Sequence, residues 1–77
     1  MNEVVDVELD LSGLVCPLPL LKTKQALNRM ESGQKIKVLA TDPGSERDFQ
    51  VFAEQSGNKL LEMQQLDSQF QYLLQKR

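Results

Sequence analysis

One thiol stands in the stretch Gly13-Leu14-Val15-Cys16-Pro17-Leu18-Pro19, and the 77 residues contain no second cysteine and no histidine. Those absences narrow the chemistry. Without histidine, a cysteine nucleophile activated by an imidazole base is excluded. Without a partner cysteine two residues away, so is a dithiol–disulfide cycle. A metal site would have to be built from carboxylates alone, and nothing in their spacing suggests one. No cofactor is implied. What one activated thiolate can do alone is attack an electrophilic sulfur, hold it, and give it up to a partner. Lacking a resolving thiol, it would not discharge that cargo into an internal disulfide.

The elements around Cys16 suit such a role. Val5, Val7, Leu9 and Leu11 alternate with Asp6, Glu8 and Asp10, the period-2 pattern of a strand with one buried and one wet face. After Ser12-Gly13 and the cysteine, a helical pattern runs from about Pro17 to Ser32. Leu20, Thr23, Ala26, Leu27 and Met30 form its inward stripe, with Lys22, Gln25 and Arg29 opposite and Pro19 at the margin. Pro17 suits the first helical position and Gly33 the C-terminal cap. Cys16 thus falls at or next to the helix start, where free N–H groups and the helix dipole favour a thiolate.

Ile36, Val38 and Ala40 form a second strand that closes at Thr41-Asp42-Pro43-Gly44. A second helix spans about 45–56 with Phe49, Phe52 and Ala53 inward. Asp42 or Ser45 would cap it, Ser45 with Asp48 as a capping box. Gly57-Asn58 ends it. Strands at about 59–66 (Leu61, Met63) and 69–75 (Phe70, Tyr72, Leu74) are joined by Asp67-Ser68, a hairpin-sized link. The order is βαβαββ. Right-handed crossovers put both helices on one face of the sheet. The expected fold is therefore a single domain over 1–77, a two-layer α/β sandwich with a mixed four-stranded sheet.

Net charge is −2, unevenly spread: −4 over residues 1–10, +4 over 11–41 and −2 over 42–77. Cys16 lies in the positive third, which could steer an acidic protein partner. An acidic chain with 5% aromatic residues argues against direct nucleic-acid binding. The Lys22–Lys37 stretch reads more simply as a solvated helix face. No apolar run reaches the ~20 residues of a membrane span. Met1-Asn2-Glu3-Val4 does not resemble a signal peptide, so a cytoplasmic protein is expected, where a lone thiol stays reduced.

Two other readings of Cys16 stand beside the carrier: a small buried hydrophobe, or the redox centre of a regulatory interaction module. A sensor would usually have a resolving thiol nearby.

Gly13-Leu14-Val15-Cys16-Pro17-Leu18-Pro19 followed by a helix resembles the Cys-Pro-x-Pro signature of the TusA/SirA sulfur-carrier family. Asp42-Pro43 with Arg47-Asp48 is similar to that family's second motif, and the likeness extends to Tyr72-Leu73-Leu74. The resemblance implies a sulfur carrier of the sulfurtransferase type rather than a self-contained enzyme. It would hold a persulfide on Cys16, supported by Pro17, Pro19, Asp42 and Arg47. It also implies a cysteine desulfurase or rhodanese-type donor and a downstream acceptor protein. The implied pathways are tRNA thiolation, molybdenum-cofactor and enzyme maturation, and oxidative sulfur metabolism. Many thiouridine-pathway members carry an acidic residue between the two prolines, where this chain has Leu18.

Two placements follow for the surface around the thiol. At 100° per residue, Leu18 and Leu21 point away from the inward stripe, beside Lys22, and are candidates to contact a partner. Both crossovers start at the same sheet edge, so Asp42, Pro43 and Arg47 should line the same rim as Cys16.

Overall fold

The structure, a computed structural model, describes residues 5–15 and 18–77. Six elements follow the expected order: β1 (Val7–Leu11), α1 (Leu18–Asn28), β2 (Lys35–Ala40), α2 (Ser45–Ser56), β3 (Lys59–Leu66) and β4 (Gln69–Gln75). The sheet order is β1-β2-β4-β3. β1 and β2 are parallel, whereas β4 runs antiparallel to both β2 and β3. Leu27 of α1 and Phe49 and Phe52 of α2 join one core cluster with Ile36, Val38 and Ala40. Those three β2 residues share one strand face, so both helices lie on that face.

Tyr72 is the centre of this core. Its ring stacks on Phe49 at 4.3 Å between centroids and lies nearly parallel to Phe70 at 6.5 Å. On the opposite face, Leu73 is also buried, between Lys37 and Glu62 in register. Glu8 and Asp10 are exposed, as their alternation with Val7, Leu9 and Leu11 requires.

Several boundaries depart from the sequence pattern, each for a local reason. β1 begins at Val7, not Val5, because Asp6 is already engaged in closing the turn before β2. Its N–H donates to the Lys35 carbonyl, and its carboxylate accepts from the Lys35 N–H. Helix α1 stops at Asn28 rather than Ser32. Two i→i+3 bonds, from Arg29 to Ala26 and from Met30 to Leu27, tighten its end and turn Met30 into the core. Gly33 is therefore no helix cap. It sits at φ +89° in the approach to β2, and its N–H donates to the Lys76 carbonyl. Pro19, expected at the margin, is fully buried, and its carbonyl accepts the hydroxyl of the buried Thr23.

The N-terminus of α2 also differs. Gly44 occupies the cap position with no side-chain bond, so neither Asp42 nor Ser45 is the cap and no capping box forms. Ser45 is instead the first helical residue and turns inward. At the other end Gly57 closes α2 at φ +81°, donating to the Ala53 carbonyl. In β3 a bulge between Leu60 and Glu62 shifts the alternation. Leu60 and Met63 pack on the core, and Leu61, expected beside Met63, is exposed. The hairpin turns at Asp67, whose φ of 56° an aspartate tolerates.

Candidate functional site

The site is a rim at the C-terminal ends of the two parallel strands. The ladder between them ends at Leu11 opposite Ala40. Just beyond it, the Gly13 N–H donates to the Thr41 Oγ1 at 2.9 Å, so the β1–α1 and β2–α2 loops lie side by side. Gly13 sits at φ +84°, a left-handed turn that costs glycine little. Before it, the Ser12 N–H and hydroxyl both donate to the Asp10 carboxylate, at 3.1 and 2.6 Å. The Ser12 hydroxyl, then its N–H, holds the Asp10 carboxyl below its usual pKa.

Cys16 and Pro17 lie outside the described residues, and with them the expected persulfide position and the expected first helical residue. Both flanks are described. Leu14 is half-buried, donates its N–H to the Leu11 carbonyl and packs against the core. Val15 is 65% exposed. The Leu18 N–H donates to the Val15 carbonyl at 2.9 Å, and Pro19 fixes the first turn of α1 in the core.

Leu18 and Leu21 are 42% and 45% exposed, and Lys22 is exposed beside them. With Val15 they leave apolar side chains on both sides of Cys16 in sequence. Val15 was not legible beforehand, since one residue between a strand and a helix belongs to no periodic pattern. Asp42 is half-buried on the neighbouring loop, and its carbonyl accepts from the N–H and the hydroxyl of Ser45. Arg47 is exposed in the first turn of α2, between Glu46 and Asp48. Among the described residues, no hydrogen bond or ion pair joins Arg47 to the β1–α1 side. The structure thus places the two loops together, with Arg47 on the adjoining helical turn.

Behind the rim, the Tyr72 hydroxyl meets the Ser45 Oγ at 2.6 Å. Burial pushes the Tyr72 phenol above its usual pKa. The carboxylates Glu46, Asp42 and Asp48 push the same way, against the Ser45 hydrogen bond. A cleft of about 360 Å³ opens at the other end of the helices, lined by Lys24, Phe52, Ser56, Asn58 and Arg77 among others. The Arg77 guanidinium donates to the Ser56 carbonyl at the α2 C-terminus, and the Lys24 ammonium lies 5.5 Å over the Phe52 ring. Among the described residues, no three His, Cys, Asp or Glu are grouped to hold a metal, and no helix is long and apolar enough to cross a membrane.

This chain has counterparts among known proteins. The family model for sulfurtransferase TusA matches residues 7–76. The chain belongs to the TusA sulfurtransferase family. It is 54% identical over 71 residues to the sulfur carrier protein TusA of Allochromatium vinosum, covering 92% of this chain and 93% of that one. It is 37% identical over 76 residues to the sulfur carrier protein TusA of Pseudomonas syringae pv. syringae, covering 99% and 90%. Among solved structures, the SirA-like protein of Desulfitobacterium hafniense superposes with a TM-score of 0.78 at 28% identity, over 90% of this chain and 95% of that one.

Proposed function

We propose that this TusA-family chain is a sulfur carrier that holds sulfur as a persulfide on Cys16 and relays it between a donor enzyme and an acceptor protein. The observation that carries the reading is one thiol in a Cys-Pro-x-Pro stretch whose flanks lie at the shared rim of a TusA-family fold. In loading, the Cys16 thiolate attacks the terminal sulfur of the donor's persulfide. The donor's S–S bond breaks, its thiolate leaves, and a new S–S bond forms on Cys16. Delivery is the same exchange with the acceptor's thiolate attacking, so no external oxidant or reductant is consumed. Pro17, Pro19, Asp42 and Arg47 are the supporting residues in this reading, and the cytoplasm is its compartment. The donor class is a cysteine desulfurase or a rhodanese-type enzyme. Leu18, in place of an acidic residue between the prolines, makes an acceptor outside tRNA thiolation at least as well supported as one within it.

Incubation with a cysteine desulfurase, cysteine and pyridoxal phosphate, or with a rhodanese and thiosulfate, tests the reading by intact mass. One added sulfur per chain is expected with at least one donor. An unmodified chain across the whole panel contradicts it.

Leu18, Leu21 and Lys22 are proposed as an apolar contact with a charged edge for the donor or acceptor. Neither leucine is buried, so replacing both with Ser should shift the melting temperature little, within the ~0.5 kcal/mol typical of surface changes. Loading or unloading should slow several-fold. A large loss of stability would instead make them core residues.

Arg47 opposes the α2 dipole and stands between two carboxylates that favour it, a placement that does nothing for the helix. Its proposed role is to stabilise the persulfide anion or pair with an acidic partner. Arg47→Ala should retain the fold and slow transfer several-fold, and Arg47→Lys should recover part of the rate if charge alone matters. Wild-type kinetics in Arg47→Ala would remove Arg47 from the site.

A further inference from the structure

We infer that Thr41 is a positioning residue for the thiol segment, an inference that rests on the carrier reading for its effect on sulfur transfer. The Gly13 N–H bond to Thr41 Oγ1 spans 28 positions of sequence and is the first contact past the end of the β1–β2 ladder. It fixes the chain three residues before Cys16. The anchorage on the β2 side is deep. Ser45 gives its N–H and its hydroxyl to the Asp42 carbonyl, at 3.0 and 2.7 Å. A serine hydroxyl has one proton, so the Tyr72 phenol is the donor in the 2.6 Å bond to Ser45. Ser45 and Tyr72 are each 1% exposed, and Tyr72 belongs to β4, one of the two inner strands. A continuous path therefore runs from the middle of the sheet, through Tyr72, Ser45 and Asp42, to Thr41 and across to Gly13. Ser12, by contrast, bonds locally, giving its N–H and its hydroxyl to Asp10 two residues back. The Thr41 side chain thus ties the β1–α1 loop to the β2–α2 loop.

Thr41→Val keeps the shape and removes the acceptor, while Thr41→Ser keeps the acceptor. Ile36→Val, in the core and remote from the rim, supplies a comparable loss of stability without touching the loop. Single-turnover loading is followed in all four proteins together with their melting temperatures. Loading is expected to slow roughly threefold to tenfold in Thr41→Val, the range that one hydrogen bond of ordinary strength commands. It should return to near wild type in Thr41→Ser and be unchanged in Ile36→Val. Wild-type loading in Thr41→Val, or slowing no greater than in Ile36→Val, overturns the inference. If the wild-type chain accepts sulfur from no donor, the carrier reading fails by itself. The rate of Cys16 alkylation by iodoacetamide in the same four proteins then decides for Thr41: a change confined to Thr41→Val supports its role, and equal rates in all four overturn it.

Discussion

Replacing Cys16 with Ser should abolish sulfur loading entirely, leaving the mass of the chain unchanged after incubation with any donor that loads the wild type. The expectation follows from the inventory of side chains. The attacking group must be a thiolate, and the chain has no other thiol and no histidine to recruit a substitute nucleophile. A serine hydroxyl is almost wholly protonated near neutrality and forms no stable bond to the transferred sulfur. Cys16→Ala should behave identically, and circular dichroism of both variants should retain the wild-type signature, so that the loss is read as chemistry and not as unfolding. Sulfur recovered on either variant would place the cargo somewhere other than Cys16.

Phe49→Ala should produce the largest loss of stability. Phe49 is fully buried in the first half of α2 and stacks on Tyr72. Truncating a buried phenylalanine costs about 3–5 kcal/mol, and the lost aromatic pair is part of that cost. A domain of this length has about 4–12 kcal/mol in all. The melting temperature should therefore fall on the order of 20 °C or more, and at the low end of the stability range the chain would be unfolded at room temperature. Leu66→Ala, at a residue 58% exposed, is the control and should change little. A drop of only a few degrees in Phe49→Ala would mean that the stacked pair does not hold the helix layer to the sheet.

The pairing of strong periodicity with accurate placement explains how much of this fold could be read in advance. α2 and β4 lie where their patterns put them, because Phe49, Phe52, Phe70, Tyr72 and Leu74 leave no other phase that buries them, and β3 keeps its expected bounds though not its inward residues. The parallel β1–β2 pair and its rim followed from the βαβ crossover connection, and the placement of both helices on one face from its handedness. What escaped were events with no period. The bulge at Leu61 exchanges Leu60 for Leu61 on the core face, and one inserted residue leaves no compositional mark. The early end of α1 depends on Met30 reaching the core from a tightened turn, though its spacing also fits a longer helix. Ser45 matched a cap by residue type, but its hydroxyl faces Tyr72, a partner 27 residues away. At the site, Leu18, Leu21 and Lys22 are exposed as helical phase required. Val15 and the Thr41–Gly13 tie could be found only from the fold, because each depends on where two loops meet.

The most direct test of the carrier account follows a single sulfur through one full cycle. The chain is loaded by a donor, separated from it, and held alone before a thiol acceptor is added, with intact mass recorded at each stage. The account predicts one extra sulfur per chain after loading. That sulfur should persist in isolation, since no second thiol within the chain can expel it, and the parent mass should return once the acceptor is present. A chain that never gains the sulfur, or that gains it and does not yield it to any thiol acceptor, would contradict the account.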